Sequence, residues 1–399
     1  MQFQLTSDSG FILPKIYLDH NATTPLHPEV LEVMLPVMQE FFGNPSSVHS
    51  EGRKARVLLD EAREKVARLI GAHPGEIIFT SGGTESNNLA ILGVALSRKK
   101  KKPRIITSTV EHPSVLNPCK QLEQLGFEID RLPVNVQGRI DLDQLQATIQ
   151  ESTVLISLQH ANSEVGTLQD IEKIGELAQE KSICFHTDAV QSVGKTPVDV
   201  KNLPVDLLSI SSHKLNGPKG AGALYMKRGL SSLFSTMSGG NQEKKRRGGT
   251  ENVAGIVGFG KACELAKARL DSGAVNSLAD LRDYFFQQIE RLVSGVEILG
   301  DREFRLPNTL NLSIDGADGE TLLIGLDVEG ISVSTGSACS SGSSLPSHVL
   351  SAMQVPSRRI NSSLRFSLGG SNTRDEVEFA AKILARLVAL NRKNHVIAG

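Results

Sequence analysis

Between roughly residues 60 and 230 the chain alternates helical patterns with short apolar runs: EIIFT, RIITSTV, VLISLQ, ICFHTD, DLLSIS and ALYM. Strand and helix alternating in this way predict a mostly parallel sheet with helices on both faces, an α/β fold. In such sheets ligands bind beyond the carboxyl ends of the strands, so the residues that follow each run carry the most functional weight.

After about residue 260 the rhythm changes. Two long helical stretches, DLRDYFFQQIERLVSG and RDEVEFAAKILARLVALNRK, flank alternating strands such as TLNLSI and SLRFSL. This predicts a smaller α+β domain, and 399 residues are enough for two domains. The expected division is 17–263 for the large α/β domain and 264–399, with 1–16, for the small one.

Charge excludes some partners. Lys plus Arg number 43 against 44 Asp plus Glu, so no global field favours nucleic acid or an anionic membrane. The basic runs Arg98–Arg104 and Glu243–Arg247 read as solvated surface. Four widely spaced cysteines, with no C-x-x-C pair, fit neither a disulfide framework nor a zinc ribbon. With no apolar leader in MQFQLTSDSGFILPK and no run of about 18 apolar residues, the expectation is a cytoplasmic protein outside the membrane.

Taken in order, the strand ends supply distinct chemical groups. EIIFT leads into Ser81-Gly82-Gly83-Thr84-Glu85-Ser86 and then a helical pattern, which suits a phosphate cradle or, equally, a capped tight turn. RIITSTV ends at Glu111-His112, where an imidazole can act as acid or base, stack on a flat ring, or simply bond the backbone. VLISLQ is followed by Asn162, which offers a donor and an acceptor. ICFHTD places Asp188 at a strand end, with Gln191 after it; a buried carboxylate there needs a donor, though a helix N-cap is the plainer reading. His186 and Asp188 make a metal pair conceivable, but no third ligand has obvious spacing. DLLSIS runs into Ser211-Ser212-His213-Lys214, and a lysine held at a strand end can serve as a Schiff-base amine. Anchor, ring face, carboxylate and tethering lysine are together what a pyridoxal 5'-phosphate site requires.

Ten segments, in order, resemble the cysteine desulfurases of the NifS and IscS type, class V aminotransferase relatives with the fold-type I pyridoxal phosphate architecture. They are LDHNATTP, GNPSSVHSEGRKAR, FTSGGTESNN, EHPSV, HTDAVQSVGK, SSHKLNGPKG, GGNQEKKRRGGTEN, STGSACSS, SHVL and SLRFSLG. The resemblance implies that Lys214 binds the cofactor covalently, His112 stacks on its ring, Asp188 pairs with the ring nitrogen and Gln191 bonds the ring hydroxyl. It implies that Gly83, Thr84, Ser211 and His213 hold the phosphate, joined by Thr250 of a neighbouring subunit, hence a homodimer. It further implies that Asn162, Arg365 and Asn21 bind the amino-acid substrate, L-cysteine. A guanidinium fork at Arg365 suits a carboxylate on chemical grounds too, the alternative being an ordinary exposed strand residue.

Cys339, set in STGSACSSGSS, resembles the family's sulfur-accepting nucleophile in the branch with an extended cysteine loop. Glycine and serine suit a loop that must reach. Cys119, Cys184 and Cys263 read as packing residues. The implied activity is conversion of L-cysteine to L-alanine with a persulfide on Cys339, which feeds a sulfur acceptor such as an iron–sulfur scaffold. No resident metal is expected. Rival readings are a selenocysteine lyase of the same fold and, further off, a noncatalytic scaffold or a metal-dependent hydrolase built on His186, Asp188 and His112.

Overall fold

The apolar runs become strands in the computed structural model, which describes residues 15–98, 102–230, 233–335 and 346–397, apart from the side chains of 394–397. Residues 1–14, Lys99 to Lys101 of the basic run and Cys339 lie outside the described residues. Twelve strands occur among the described residues: β1 (Ile16–Tyr17), β2 (Ile77–Thr80), β3 (Arg104–Ser108), β4 (Glu128–Leu132), β5 (Thr153–Gln159), β6 (Cys184–Asp188), β7 (Leu207–Ser211), β8 (Gly222–Met226), β9 (Val296–Ile298), β10 (Thr309–Ile314), β11 (Ile331–Ser332) and β12 (Ser363–Ser367). The largest sheet has the order β2-β8-β7-β6-β5-β3-β4.

Strand β8 is antiparallel to both β2 and β7, and the other neighbours are parallel. Consequently β2, β7, β6, β5, β3 and β4 all point the same way, and their carboxyl ends share one rim of the sheet. This α/β architecture with a mostly parallel sheet is the expected fold.

Both faces of the sheet are covered. Leu208 of β7 packs into a cluster with Leu59, Phe259 and Ile174, whereas its neighbour Leu207 joins Leu89, Val115 and Leu122 on the opposite face. Alternation of side chains across the pleat sends adjacent leucines to opposite layers, and each full burial contributes about 1.5–3 kcal/mol. The rim carrying the site therefore rests on a core packed from two sides.

A third apolar cluster forms around the three-stranded antiparallel sheet β12-β10-β9 and the helices Ala274–Leu292 and Arg374–Ile397. Ile16 and Leu18 belong to it, because β1 pairs with β11. Residue 263, the expected boundary, lies inside the helix Val253–Asp271, and Cys263 packs in the first cluster.

Two strands differ from what the pattern predicts. The alternation in TLNLSI predicts one polar face in water, yet every residue of β10 is buried. Its polar residues are bonded inside the protein: Thr309 Oγ1 accepts from Asn21 Nδ2 at 2.8 Å, and Asn311 Nδ2 donates to the carbonyl of Glu164 at 3.1 Å. β4, EIDRL, is an edge strand with no apolar run to announce it, and its acids take Arg104 as an ion-pair partner.

The surface reading of Glu243–Arg247 holds for the exposed Lys244 and Lys245 but not for the residues at its two ends. Glu243 is enclosed and accepts both terminal nitrogens of Arg63, while Arg247 pairs with Glu85 at 2.8 Å.

Candidate active site

At the shared rim lies a cavity of about 320 Å³ lined by residues from most of the strand ends. From the sequence-based set it brings together Asn21, Gly83, Thr84, His112, Asp188, Gln191, Ser211, His213 and Lys214.

The glycine turn after β2 shapes one wall. Gly82 has φ +153°, open to glycine and strained for other residues, and it precedes the helix Gly83–Ser97. A Cβ on Gly83 would sit 2.7 Å from Val190 Cγ2. Next to this turn Ser211 is buried, and its hydroxyl has no hydrogen-bond partner among the described residues. A buried orphan hydroxyl beside a helix N-terminus is the arrangement an anionic ligand would complete. His213 Nδ1 lies 3.1 Å from Thr23 Oγ1; burial first, then the charges of Lys214, Lys219 and Lys195, push its pKa down to about 4.

Asp188 ends β6 and is 8% exposed. Its Oδ2 accepts from Asn87 Nδ2 at 2.7 Å and its Oδ1 from the Val190 amide at 3.0 Å. These donors satisfy a buried carboxylate, while the residue still borders the cavity.

His112 caps the helix Pro113–Gln124, and its Nδ1 accepts from the Ser114 amide at 3.1 Å. Ser114 Oγ approaches the same nitrogen at 2.7 Å and lies 2.8 Å from Asn87 Nδ2. The neutral imidazole therefore carries its proton on Nε2. Burial lowers the His112 pKa, Asp188 opposes that shift, and Lys214 and His348 add to it.

Lys214 follows β7 in a short 3-10 turn, Ser212–Lys214, and its amine donates to the carbonyls of Asn21 at 2.5 Å and Ala22 at 2.7 Å. The Lys214 amine is thus anchored at the cavity wall. Gln191 donates from Nε2 to the same Asn21 carbonyl at 2.9 Å.

Three residues of the sequence-based set are not brought to the cavity wall. Asn162 spends its side chain on the turn that follows it: Oδ1 accepts from the amides of Glu164 and Val165, and Nδ2 donates to the Val110 carbonyl. Arg365 is 1% exposed, so the exposed-strand alternative is wrong. Its guanidinium donates to Asp19 Oδ1 at 2.7 Å and to the carbonyl of Ser163, a cavity residue, at 3.2 Å. Thr250 is exposed in a separate pocket with Phe41, Phe42 and Pro45.

His186 is excluded from metal binding by its own bonds. It is fully buried, with Nδ1 2.8 Å from Ser157 Oγ and Nε2 3.0 Å from Ser209 Oγ. Among the described residues no group of three or more His, Cys, Asp or Glu is placed to hold a metal ion.

Sequence reasoning assigned no role to Asn87, Ser114 or Lys195. Asn87 and Ser114 lie one helical turn or less past singled-out residues, inside FTSGGTESNN and EHPSV. Lys195 follows Gln191 by four positions and ends HTDAVQSVGK.

The aminotransferase class-V family pattern matches residues 16–379. A cysteine desulfurase IscS of Dictyoglomus turgidum is 52% identical over 374 residues, 94% of each chain. The chain belongs to the aminotransferase class-V family, among its cysteine desulfurases. Solved structures of this family share the fold. A NifS-like protein superposes with a TM-score of 0.88 at 38% identity, over 94% of this chain and all of that one. A second, described as SspA in complex with cysteine, gives 0.80 at 38% identity, over 90% and 100% of the two chains.

Proposed function

We propose that this class-V family member uses pyridoxal 5'-phosphate to take sulfur from L-cysteine, releasing L-alanine and leaving a persulfide on Cys339. One observation carries the reading: the Lys214 amine and the Asp188 carboxylate border a single cavity walled by a glycine turn and an orphaned serine hydroxyl.

The residues present fit the cofactor. Gly83, Thr84, Ser211 and His213 would hold its phosphate, Asp188 its ring nitrogen, Gln191 its ring hydroxyl and His112 its ring face, with Lys214 as the covalent anchor. Once bound, the cofactor supplies a sink for the electron pair released at the substrate Cα. The Lys214 amine would take the Cα proton and return it to Cα of the product, and His112 would move a proton at the rim. The substrate Cβ–S bond breaks and an S–S bond to Cys339 Sγ forms. The proton given up by the Cys339 thiol ends on Cβ of alanine, which balances the reaction.

The other cysteines do not suit this step. Cys119, Cys184 and Cys263 are buried and unpaired, and burial raises all three thiols, Cys119 to about 12. Only an ionised thiol attacks sulfur.

Substrate binding by Asn21, Asn162 and Arg365 is part of the proposal. It is supported best for Asn21, which lines the cavity, and for Arg365, whose Nε is buried without a partner. A homodimer in which Thr250 joins a neighbouring site is supported by the exposure of Thr250 and by the exposed Met38, Phe42 and Val48. Two domains, each around its own apolar core, a cytoplasmic setting and delivery of sulfur to an iron–sulfur scaffold complete the reading. No helix among the described residues is long and apolar enough to cross a membrane.

Replacing Cys339 with Ala tests the chemistry. The variant is expected to keep the visible absorbance of the bound cofactor and to lose sulfide release from L-cysteine. Undiminished sulfide release would refute the role of Cys339.

A further inference from the structure

Lys195 is the group in this region that the proposed reaction leaves unused. The residue is half-buried, and among the described residues its amine forms no ion pair with a carboxylate. Nζ donates to Gln191 Oε1 at 2.9 Å and to Asn21 Oδ1 at 3.1 Å. Burial, followed by the charges of Lys214 and Arg365, holds its pKa well below that of an ordinary lysine.

Both amides are fixed at their far ends by groups that can only accept. Gln191 Nε2 faces the Asn21 carbonyl at 2.9 Å, and Asn21 Nδ2 faces the Ser163 carbonyl at 3.1 Å. Each amide oxygen must therefore turn toward Lys195. Asn21 Oδ1 has a second donor, Asn308 Nδ2 at 3.1 Å, whereas Lys195 is the donor to Gln191 Oε1 among the described residues. The Asn21 carbonyl that receives Gln191 also receives the Lys214 amine. One lysine nitrogen thus joins two cavity amides, and through them the backbone carbonyl that holds Lys214.

We propose that Lys195 is a positioning residue that locks Gln191 and Asn21 into one unit facing Lys214, with the Gln191 amide nitrogen kept toward the cavity. Without Lys195 the Gln191 carboxamide keeps the Asn21 carbonyl at its nitrogen but loses the donor at its oxygen, one of the two contacts that set its orientation. Its buried oxygen is left unsatisfied, and the flipped rotamer gains ground. The consequence for ligand binding rests on the assignment of Gln191 to the cofactor's ring hydroxyl made above.

The test is a double-mutant cycle on cofactor affinity, read from visible absorbance as pyridoxal phosphate is titrated. Lys195→Met is expected to weaken binding about tenfold, the scale of one buried hydrogen bond, when Gln191 is present. In a Gln191→Leu background the same change is expected to weaken binding less than about twofold. If Lys195→Met does not fold, as judged by circular dichroism, Lys195→Gln keeps one amide donor; it is expected to show a smaller loss, about threefold, again confined to the Gln191 background. Equal losses in both backgrounds, or none in either, would overturn the positioning role while leaving the proposed function standing. Absence of a visible band in the unsubstituted protein would overturn both.

Discussion

Asp188 shows how a single buried carboxylate is held by its neighbours. Two donors, Asn87 Nδ2 and the Val190 amide, hold it in place at the end of β6 without neutralising it. Asp188→Asn turns an acceptor into an NH₂ group facing either Asn87 or Val190, and removes the negative charge at the cavity. Turnover of L-cysteine is expected to fall by a factor on the order of 10²–10³, the loss typical when one preorganised electrostatic partner is removed. Steady-state kinetics on protein saturated with cofactor would measure it; activity within a few-fold of the parent would contradict the assignment. In the sequence a carboxylate after an apolar strand marks Asp188 as a residue needing a donor, a helix N-cap being the plainer reading, and its proposed role comes from the family resemblance. Its partner Asn87 was not legible, since a helical asparagine acquires meaning only when folding brings it across from residue 188. Arg365 and Asn162 are the reverse case: their side-chain chemistry was legible, but the internal bonds they make depend on Asp19, Ser163 and the 162–167 turn.

At the scale of elements, the cradle depends on how closely β8 approaches the glycine turn. A Cβ on Gly222 would lie 2.6 Å from the Gly82 Cα and 2.8 Å from the Ile210 carbonyl, both backbone atoms that have little room to yield. Gly222→Ala is therefore expected to destabilise the fold by about 1–3 kcal/mol and to weaken cofactor binding by displacing the turn. Denaturant unfolding together with a pyridoxal phosphate titration would detect both effects. Loss of stability with unaltered affinity would show that the turn tolerates the shift. The parallel strands could be read from the sequence because strands buried on both faces are continuous apolar runs. β4 escaped notice because an edge strand needs no such run, and β10 hid its burial because Asn311 and Thr309 find partners in distant segments.

Across the whole molecule, buried imidazoles set the acid limb of stability. Burial lowers His186 to about 3 and His20, His160 and His213 to about 4, so between pH 6.5 and 4 the unfolded chain binds protons that the folded chain refuses. Stability is lost as pH falls through that window. Glu111 and Glu164, raised by burial to about 8 and about 7, act in the opposite sense: they favour the fold below pH 4.5, and that contribution is lost as pH rises through their folded values. These four imidazoles, joined by His112, which burial lowers in the same sense, outweigh the two carboxyls and leave a net loss on acidification from pH 6.5 to 4.5. The cofactor-free protein should accordingly unfold at a lower urea concentration at pH 4.5 than at 6.5, and His186→Gln should flatten that difference. An unchanged or higher midpoint at pH 4.5 would contradict this balance. None of it was legible from composition, because ten histidines in a sequence do not say which are enclosed.

The proposed chemistry depends on one amine, that of Lys214. Borohydride reduction of the cofactor-loaded protein, followed by digestion and mass mapping, should place a phosphopyridoxyl group on the peptide containing Lys214 and erase the label in Lys214→Ala. A label on Lys195 or any other residue, or no label at all, would contradict the central claim.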